Sequence, residues 1–105
     1  MRYFLTGITG FIGGKVAQQL LAAGHEVIAL VRSPEKAKGL VTSGIQLVKG
    51  DVTDMASMRA PMTGVDGVFH IAGWYKIGAR DSSQGQAINV DGTRNVLELM
   101  AELGI

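Results

Sequence analysis

The chain has 105 residues, of which 47% are hydrophobic, so it can bury the core of one compact domain but not of two. Its net charge of +1 gives no reason to expect nucleic acid, a membrane surface or a strongly acidic partner. The absence of cysteine excludes disulfides, thiolate chemistry and cysteine-based zinc sites. The first residues lead directly into a strand rather than a signal peptide, and no run is long enough to span a membrane. These features predict a cytoplasmic protein.

Strands and helices are predicted to alternate four times along the chain. Short apolar runs predict strands over residues 3–5, 26–31, 45–48 and 65–71. Apolar residues at helical spacing, together with capping residues, predict helices over residues 13–23, from 33 to before 44, 53–62 and 84–103. Residues 73–83 are predicted to form an irregular loop.

This alternation is typical of α/β proteins and predicts a parallel sheet with helices on both faces. With right-handed crossovers, the natural topology is a Rossmann-type doubly wound parallel sheet, of which the chain holds the first four β-α units only. Ile105 follows the helix-capping residue Gly104, at the point where a fifth strand would begin. We therefore expect residues 1–105 to be part of a longer protein.

The turn after the first predicted strand, residues 6–13 (TGITGFIG), has glycines with the spacing G-x-x-G-x-x-G. Gly7 allows a sharp turn, Gly10 leaves room for a pyrophosphate, and Gly13 lets the helix approach the sheet. The helix N-terminus adds free amides and a partial positive charge. A glycine turn that follows a strand and opens a helix, in a chain that continues as strand, helix and strand, predicts a dinucleotide site. The predicted contacts are Gly7, Thr9, Gly10, Phe11, Ile12 and Gly13. The alternative is a glycine-rich turn without a ligand.

Four segments closely resemble motifs of the extended short-chain dehydrogenase/reductase family, which includes nucleotide-sugar epimerases, dehydratases and dihydroflavonol-reductase-like enzymes. They are the glycine turn, GDVTD (residues 50–54), VFHIAG (68–73) and NVDGTRNV (89–96). The segments occur in the family's order and span nearly the whole chain. The resemblance implies that residues 1–105 form an NAD(P)-binding Rossmann domain that is truncated before the catalytic half.

The resemblance also implies roles for residues after the third and fourth strands. The Asp51 carboxylate would accept a hydrogen bond from the adenine amino group, and the Val52 backbone would meet the ring. Ile71, Ala72 and Gly73 would line the ribose and nicotinamide side, and Asn89 would hold a helix irregularity and a water behind the active site. Two alternatives stay open: Asp51 and Asp54 could simply cap the next helix, and His70 reads as a packed strand-end residue rather than a catalyst.

The end of the second strand predicts NADP in preference to NAD. An acidic residue there would bind the ribose 2′-hydroxyl, whereas a nearby arginine accommodates a 2′-phosphate. The family's usual acidic position falls on Val31, and Arg32 follows it. Arginine matches phosphate with a planar fork of donors, and Lys36 could add a point charge. The alternative is that Arg32 lies on the surface without a ligand.

No catalytic or metal-binding residue is predicted in this chain. The family carries a serine after the fifth strand and a Tyr-x-x-x-Lys pair on the next helix, but Tyr75 is followed four residues later by Ala79. His25 and His70 are far apart, which disfavours a histidine metal cluster. Residues 74–78 would touch substrate or form a packed surface loop.

Two functions therefore remain open at this point. The first is the NADP-binding portion of an oxidoreductase or epimerase/dehydratase, with carbonyl reduction favoured by the similarity of residues 31–34 to dihydroflavonol-reductase-like proteins. The second is a non-catalytic NADP sensor or regulatory module. A small-molecule substrate is expected only if the chain continues, and the family often forms homodimers through the helix that carries Asn89.

Overall fold

The computed structural model describes residues 1–37, 44–72 and 87–105. The strands in these residues are β1 (Arg2–Thr6), β2 (Glu26–Val31), β3 (Ile45–Lys49) and β4 (Gly67–His70). The helices are α1 (Phe11–Ala22), α2 (Pro34–Ala37), α3 (Met55–Met62) and α4 (Thr93–Leu103), and a π-helical turn (Ala87–Gly92) leads directly into α4. No helix of the described part has the length and hydropathy needed to cross a bilayer.

The sheet has the strand order β3-β2-β1-β4, and all of its neighbouring pairs are parallel. The chain builds outward from β1 to β3 and then returns to the other side of β1, where β4 pairs with it. This topology confirms the predicted Rossmann-type fold. The crevice beyond the carboxyl ends of β1 and β4 is the point where the strand order reverses, and open α/β sheets bind their ligands at such a point.

An apolar cluster covers each face of the sheet. Successive side chains of a strand point to opposite sides, so neighbouring residues pack into different clusters. Phe4 and Leu5 are fully buried neighbours in β1 and belong to two different apolar clusters. The cluster around Phe4 includes Met58 of α3 and Leu99 of α4, whereas the cluster around Leu5 includes Ala17 of α1. The central strands are therefore apolar on both faces, as a parallel sheet requires.

The predicted element boundaries agree with the structure to within a few residues. α1 begins at Phe11, two residues earlier than predicted, because the Gly14 amide donates to the Gly10 carbonyl at 2.9 Å and makes Gly10 the N-cap. Gly24, with φ of +87°, ends the same helix by donating its amide to the Leu21 carbonyl at 3.0 Å.

Other predicted boundaries differ for local reasons. β4 begins at Gly67 instead of residue 65, because the Val65 amide still bonds to the Met62 carbonyl at 3.3 Å in the turn after α3. α3 begins at Met55 instead of residue 53, since Asp54 is its N-cap. Most of the predicted continuation of α2 falls at residues 38–43, outside the described residues.

The helix predicted over residues 84–103 is interrupted before Thr93, and the interruption includes Asn89, where the family resemblance implied a helix irregularity. Residues 84–86 lie outside the described part, residues 87–92 form the π-helical turn, and the α-helix begins only at Thr93. The Thr93 hydroxyl donates to the Asn89 carbonyl at 2.8 Å, a type of side-chain bond that bends helices. Apolar spacing did not reveal the π-helical turn, because a single turn is too short to register as a change of period.

Candidate functional site

The glycine turn between β1 and α1 packs closely against itself and against the residues after β4. Gly7 has φ of +82°, and a Cβ on this residue would lie 2.7 Å from the Ala72 amide nitrogen. A Cβ on Gly13 would lie 1.8 Å from the Gly7 carbonyl oxygen. Both contacts are with backbone atoms, which cannot move aside as a flexible side chain can. A side chain at Gly7 or Gly13 would therefore force the backbone apart, whether or not a ligand binds.

Gly10 differs from the other two glycines of the motif. It has φ of −81° and ψ of 165°, which any residue adopts. A Cβ on Gly10 would meet only the Gly7 carbonyl oxygen, at an ordinary contact distance of 3.5 Å. Gly10 lines a cavity, so a Cβ would narrow this space rather than clash with the described protein atoms.

The N-terminus of α1 borders the same cavity. The amides of Phe11, Ile12 and Gly13 precede the first hydrogen bond of the helix and have no carbonyl of their own helix to bind. The first turn of α1 contains no acidic residue, so its partial positive charge is not neutralised from within the helix. Phe11 and Ile12 are 81% and 64% exposed, and both line the cavity. This end of the helix is suited to an anion such as a phosphate group.

The cavity has a volume of about 690 Å³, which lies within the usual range for small-molecule sites. It lies beyond the carboxyl ends of the strands, at the reversal point between β1 and β4. Five parts of the described chain build its wall: the glycine turn, the segment from the end of β2 into α2, the loop after β3, the residues after β4 and the π-helical turn. The lining residues are 6–13, 30–33, 37, 50–52, 71–72 and 88.

The loop after β3 is held in place by close packing and by a local hydrogen-bonded turn. A Cβ on Gly50 would lie 2.6 Å from Cδ1 of Leu30 and 2.8 Å from the Ser57 hydroxyl oxygen, so a larger residue here would make these side chains shift. Oδ1 of the half-buried Asp51 accepts bonds from the amide and the hydroxyl of Thr53, both at 2.9 Å. Asp54 is the N-cap of α3 but makes no side-chain capping bond. The Asp51 carboxylate therefore orders the cavity wall instead of capping α3.

Arg32 follows β2 at the cavity wall. Its side chain is exposed and forms no ion pair with the residues that the structure describes. The preceding residue, Val31, is only 5% exposed and packs into the apolar cluster around Leu5. The guanidinium of Arg32 is therefore available to an anion at the end of β2.

A family model described as NAD(P)H-binding matches residues 7–105. The protein named "Putative dihydroflavonol 4-reductase" of Synechocystis sp. is 37% identical over 103 residues, which are 98% of this chain and 30% of that protein. The chain belongs to the extended short-chain dehydrogenase/reductase family, as an NAD(P)-binding domain.

Two further comparisons agree with this family. Cinnamoyl-CoA reductase 1 of Oryza sativa subsp. japonica is 35% identical over 108 residues, which are 96% of this chain and 31% of that protein. The crystal structure of the UDP-glucose 4-epimerase of Thermus thermophilus in complex with NAD superposes with a TM-score of 0.86 at 28% identity, over 100% of this chain and 35% of that chain. The chain thus spans about a third of the length of these relatives.

Most of the residues predicted to bind the cofactor of this family come together in the cavity wall. The side chain of Lys36, Gly73 and residues 74–78 lie outside the described part. Asn89 is in the π-helical turn, next to the lining residue Ile88, and is not itself in the wall. The predicted residues that line the cavity are Gly7, Thr9, Gly10, Phe11, Ile12, Gly13, Arg32, Asp51, Val52, Ile71 and Ala72.

The wall also contains residues outside the predicted set. Gly50 had a usable signal, because it begins the GDVTD segment that resembles a motif of the family. Ile88 had no signal of its own, although the resemblance implied a helix irregularity at the neighbouring Asn89. The remaining lining residues were assigned to the second strand, the glycine turn or the second helix, namely Thr6, Ile8, Leu30, Val31, Ser33 and Ala37.

Proposed function

We propose that this domain binds NADP(H), with the pyrophosphate on the glycine turn and the 2′-phosphate of the adenosine on Arg32. The exposed guanidinium of Arg32, which has no ion-pair partner in the described residues, is the observation that carries the choice of NADP. The open space beside Gly10 and the free amides of α1 support the placement of the pyrophosphate. A bound nicotinamide would supply or accept a hydride.

The same proposal assigns the two ends of the cofactor to opposite sides of the turn. Asp51 and Val52 would contact the adenine, and Gly50 lines the cavity beside them. Ile71 and Ala72 would contact the ribose on the nicotinamide side, beyond the carboxyl end of β4. This orientation follows from Arg32 being at the β2 side of the turn, because the 2′-phosphate belongs to the adenosine half.

Replacing Arg32 with alanine is expected to weaken NADPH binding about tenfold to a hundredfold and to leave NADH binding nearly unchanged. A hydrogen bond to a charged group contributes about 1.5–3 kcal/mol, and NADH lacks the phosphate that would accept it. The measurement is the dissociation constant of each nucleotide by isothermal titration calorimetry at low ionic strength, where charge interactions are least screened.

The matched control is Arg94→Ala, which removes an exposed arginine of α4 that is not in the cavity wall. It should leave both dissociation constants unchanged, which would exclude a general effect of net charge. Equal losses of NADPH and NADH affinity in Arg32→Ala would contradict the assignment of NADP.

We further propose that the protein in which this domain works reduces a carbonyl group. The support is the similarity to proteins named as dihydroflavonol 4-reductase and cinnamoyl-CoA reductase. The test is to sequence the native transcript beyond Ile105 and to assay the encoded protein for NADPH oxidation with aromatic ketones and thioesters. A downstream Tyr-x-x-x-Lys pair and turnover would support the reductase. An open reading frame without that pair, encoding a protein that binds NADPH without turnover, would support a sensor instead.

A further inference from the structure

His70 connects two parts of the site that are far apart in sequence. It is the last residue of β4 and is half-buried. Its Nδ1 lies 2.8 Å from the hydroxyl oxygen of Thr6, at the end of β1, and its Nε2 lies 2.9 Å from the hydroxyl oxygen of Thr93, at the start of α4. One imidazole ring therefore bridges the strand that enters the glycine turn and the helix that follows the π-helical turn.

The hydrogen bonds around the two hydroxyls determine which ring nitrogen carries the proton. Oγ1 of Thr6 accepts bonds from the amides of Ile71 and Ala72, both at 3.1 Å. These bonds use both lone pairs of the hydroxyl, so its proton is donated to Nδ1 of His70.

At the other nitrogen, the Thr93 hydroxyl gives its proton to the Asn89 carbonyl at 2.8 Å. Oγ1 of Thr93 must therefore accept from His70, and Nε2 is the ring nitrogen that carries hydrogen. The bonds run in one direction, from the amides after β4, through Thr6, His70 and Thr93, to the π-helical turn.

We infer that His70 is a positioning residue, whose neutral ring with hydrogen on Nε2 holds the cavity-lining end of β4 and the π-helical turn in one fixed arrangement. Ile71 and Ala72 line the cavity at one end of this chain of bonds, and Ile88 lines it at the other. A doubly protonated ring would direct a second N–H at Thr6, whose hydroxyl has no lone pair left to accept it. The effect on cofactor affinity rests on the proposed NADP(H) binding, whereas the arrangement of the ring does not.

Burial lowers the pKa of His70 below its ordinary value of about 6.5. Its polar contacts from β1 and α4 are the two threonine hydroxyls, and the ionisable neighbours along the helix, Asp91 and Arg94, are exposed. The folded chain thus takes up the proton at lower pH than the unfolded chain. The contribution of the neutral His70 ring to the stability of the fold is complete above about pH 6.5 and is lost as the pH falls through the lowered pKa.

The direct test is the tautomer of His70, read from long-range proton–nitrogen correlation spectra of histidine-labelled protein without cofactor. The chain has two histidines, so a His25→Asn variant assigns the signals. At about pH 7.5, we expect a protonated Nε2 and an unprotonated Nδ1. An Nδ1–H tautomer, or averaged signals as in a free imidazole, would overturn the inference.

A pair of variants at Thr93 tests whether the bridge acts on the site. Thr93→Val keeps the shape of the side chain but removes the acceptor of Nε2–H, so the ring signals should average and NADPH affinity should fall about fivefold. Thr93→Ser restores the hydroxyl and should recover both readouts. A fixed ring in Thr93→Val, or wild-type NADPH affinity in a variant whose ring signals have averaged, would count against the bridge.

The stability of the chain provides the second readout. Lowering the pH from about 7.5 to about 5.5 should destabilise the wild-type chain more than a His70→Asn variant, measured by urea unfolding. Parallel pH profiles would argue against a neutral ring in the folded state. Failure of the wild-type chain to bind NADPH would contradict the proposed function, but it would leave the tautomer result standing.

Discussion

Replacing Gly13 with alanine is expected to destabilise the domain strongly and to lower its urea unfolding midpoint. The added Cβ would lie 1.8 Å from the Gly7 carbonyl oxygen and 2.6 Å from the Gly7 carbonyl carbon. Relief requires α1 to move away from the turn, which would loosen its contact with the sheet at Ala17. Overpacking typically costs about 1–3 kcal/mol, and a backbone clash this close is expected to reach the upper end, against the stability of about 5–15 kcal/mol that is usual for a domain.

The measurement is urea unfolding followed by circular dichroism, without cofactor. Gly14→Ala is the matched control, because the neighbouring glycine meets only the Ile8 carbonyl oxygen, at 3.6 Å from a Cβ. Alanine inside a helix should stabilise the chain by up to about 1 kcal/mol relative to glycine. A wild-type unfolding midpoint for Gly13→Ala would show that the turn and α1 are not packed as described.

Replacing Gly10 with alanine is expected to leave the domain folded and to remove most of its affinity for the dinucleotide. The new Cβ would meet the Gly7 carbonyl oxygen at 3.5 Å, an ordinary contact, and would otherwise project into the cavity. It would keep a pyrophosphate away from the amides of α1. Since bonds to charged groups contribute about 1.5–3 kcal/mol each, a loss of about a hundredfold in affinity is expected.

This loss should be equal for NADPH and NADH, because both carry the pyrophosphate. Alanine is a poorer N-cap than glycine, so a destabilisation of up to about 1 kcal/mol is expected in urea unfolding. Gly14→Ala again serves as the control, and it should bind both nucleotides like the wild type. Undiminished binding by Gly10→Ala would mean that the pyrophosphate lies elsewhere.

The elements of the fold could be predicted from the sequence because each depends on a local pattern. β2 has the predicted bounds, Glu26–Val31, because a run of apolar residues between a helix-capping glycine and Ser33 permits little else. The described part of the last helix shows where local patterns fail. Its π-helical turn ends at Gly92, and the next residue, Thr93, bonds through its hydroxyl to the Asn89 carbonyl; apolar spacing carries no record of either feature.

Much of the cavity wall could also be predicted, because parallel strands place their carboxyl ends at one edge of the sheet. The residues that follow β1, β2, β3 and β4 meet there, and this brings Gly10, Arg32 and Asp51 together. The bridge through His70 could not be predicted in this way. Its partners are 64 and 23 residues away, and the direction of its hydrogen bonds depends on where the hydroxyls lie in three dimensions.

Local sequence patterns thus specify the alternation of strands and helices, the glycine turn and the position of Arg32 after β2. The spacing already predicted that Gly10 leaves room for a ligand and that Gly13 lets the helix approach the sheet. How strictly each position excludes a side chain depends on the packing of the folded chain. In the structure, a Cβ would lie 3.5 Å from the Gly7 carbonyl oxygen at the first and 1.8 Å at the second. That difference arises from how α1 docks on the turn, which no local pattern records.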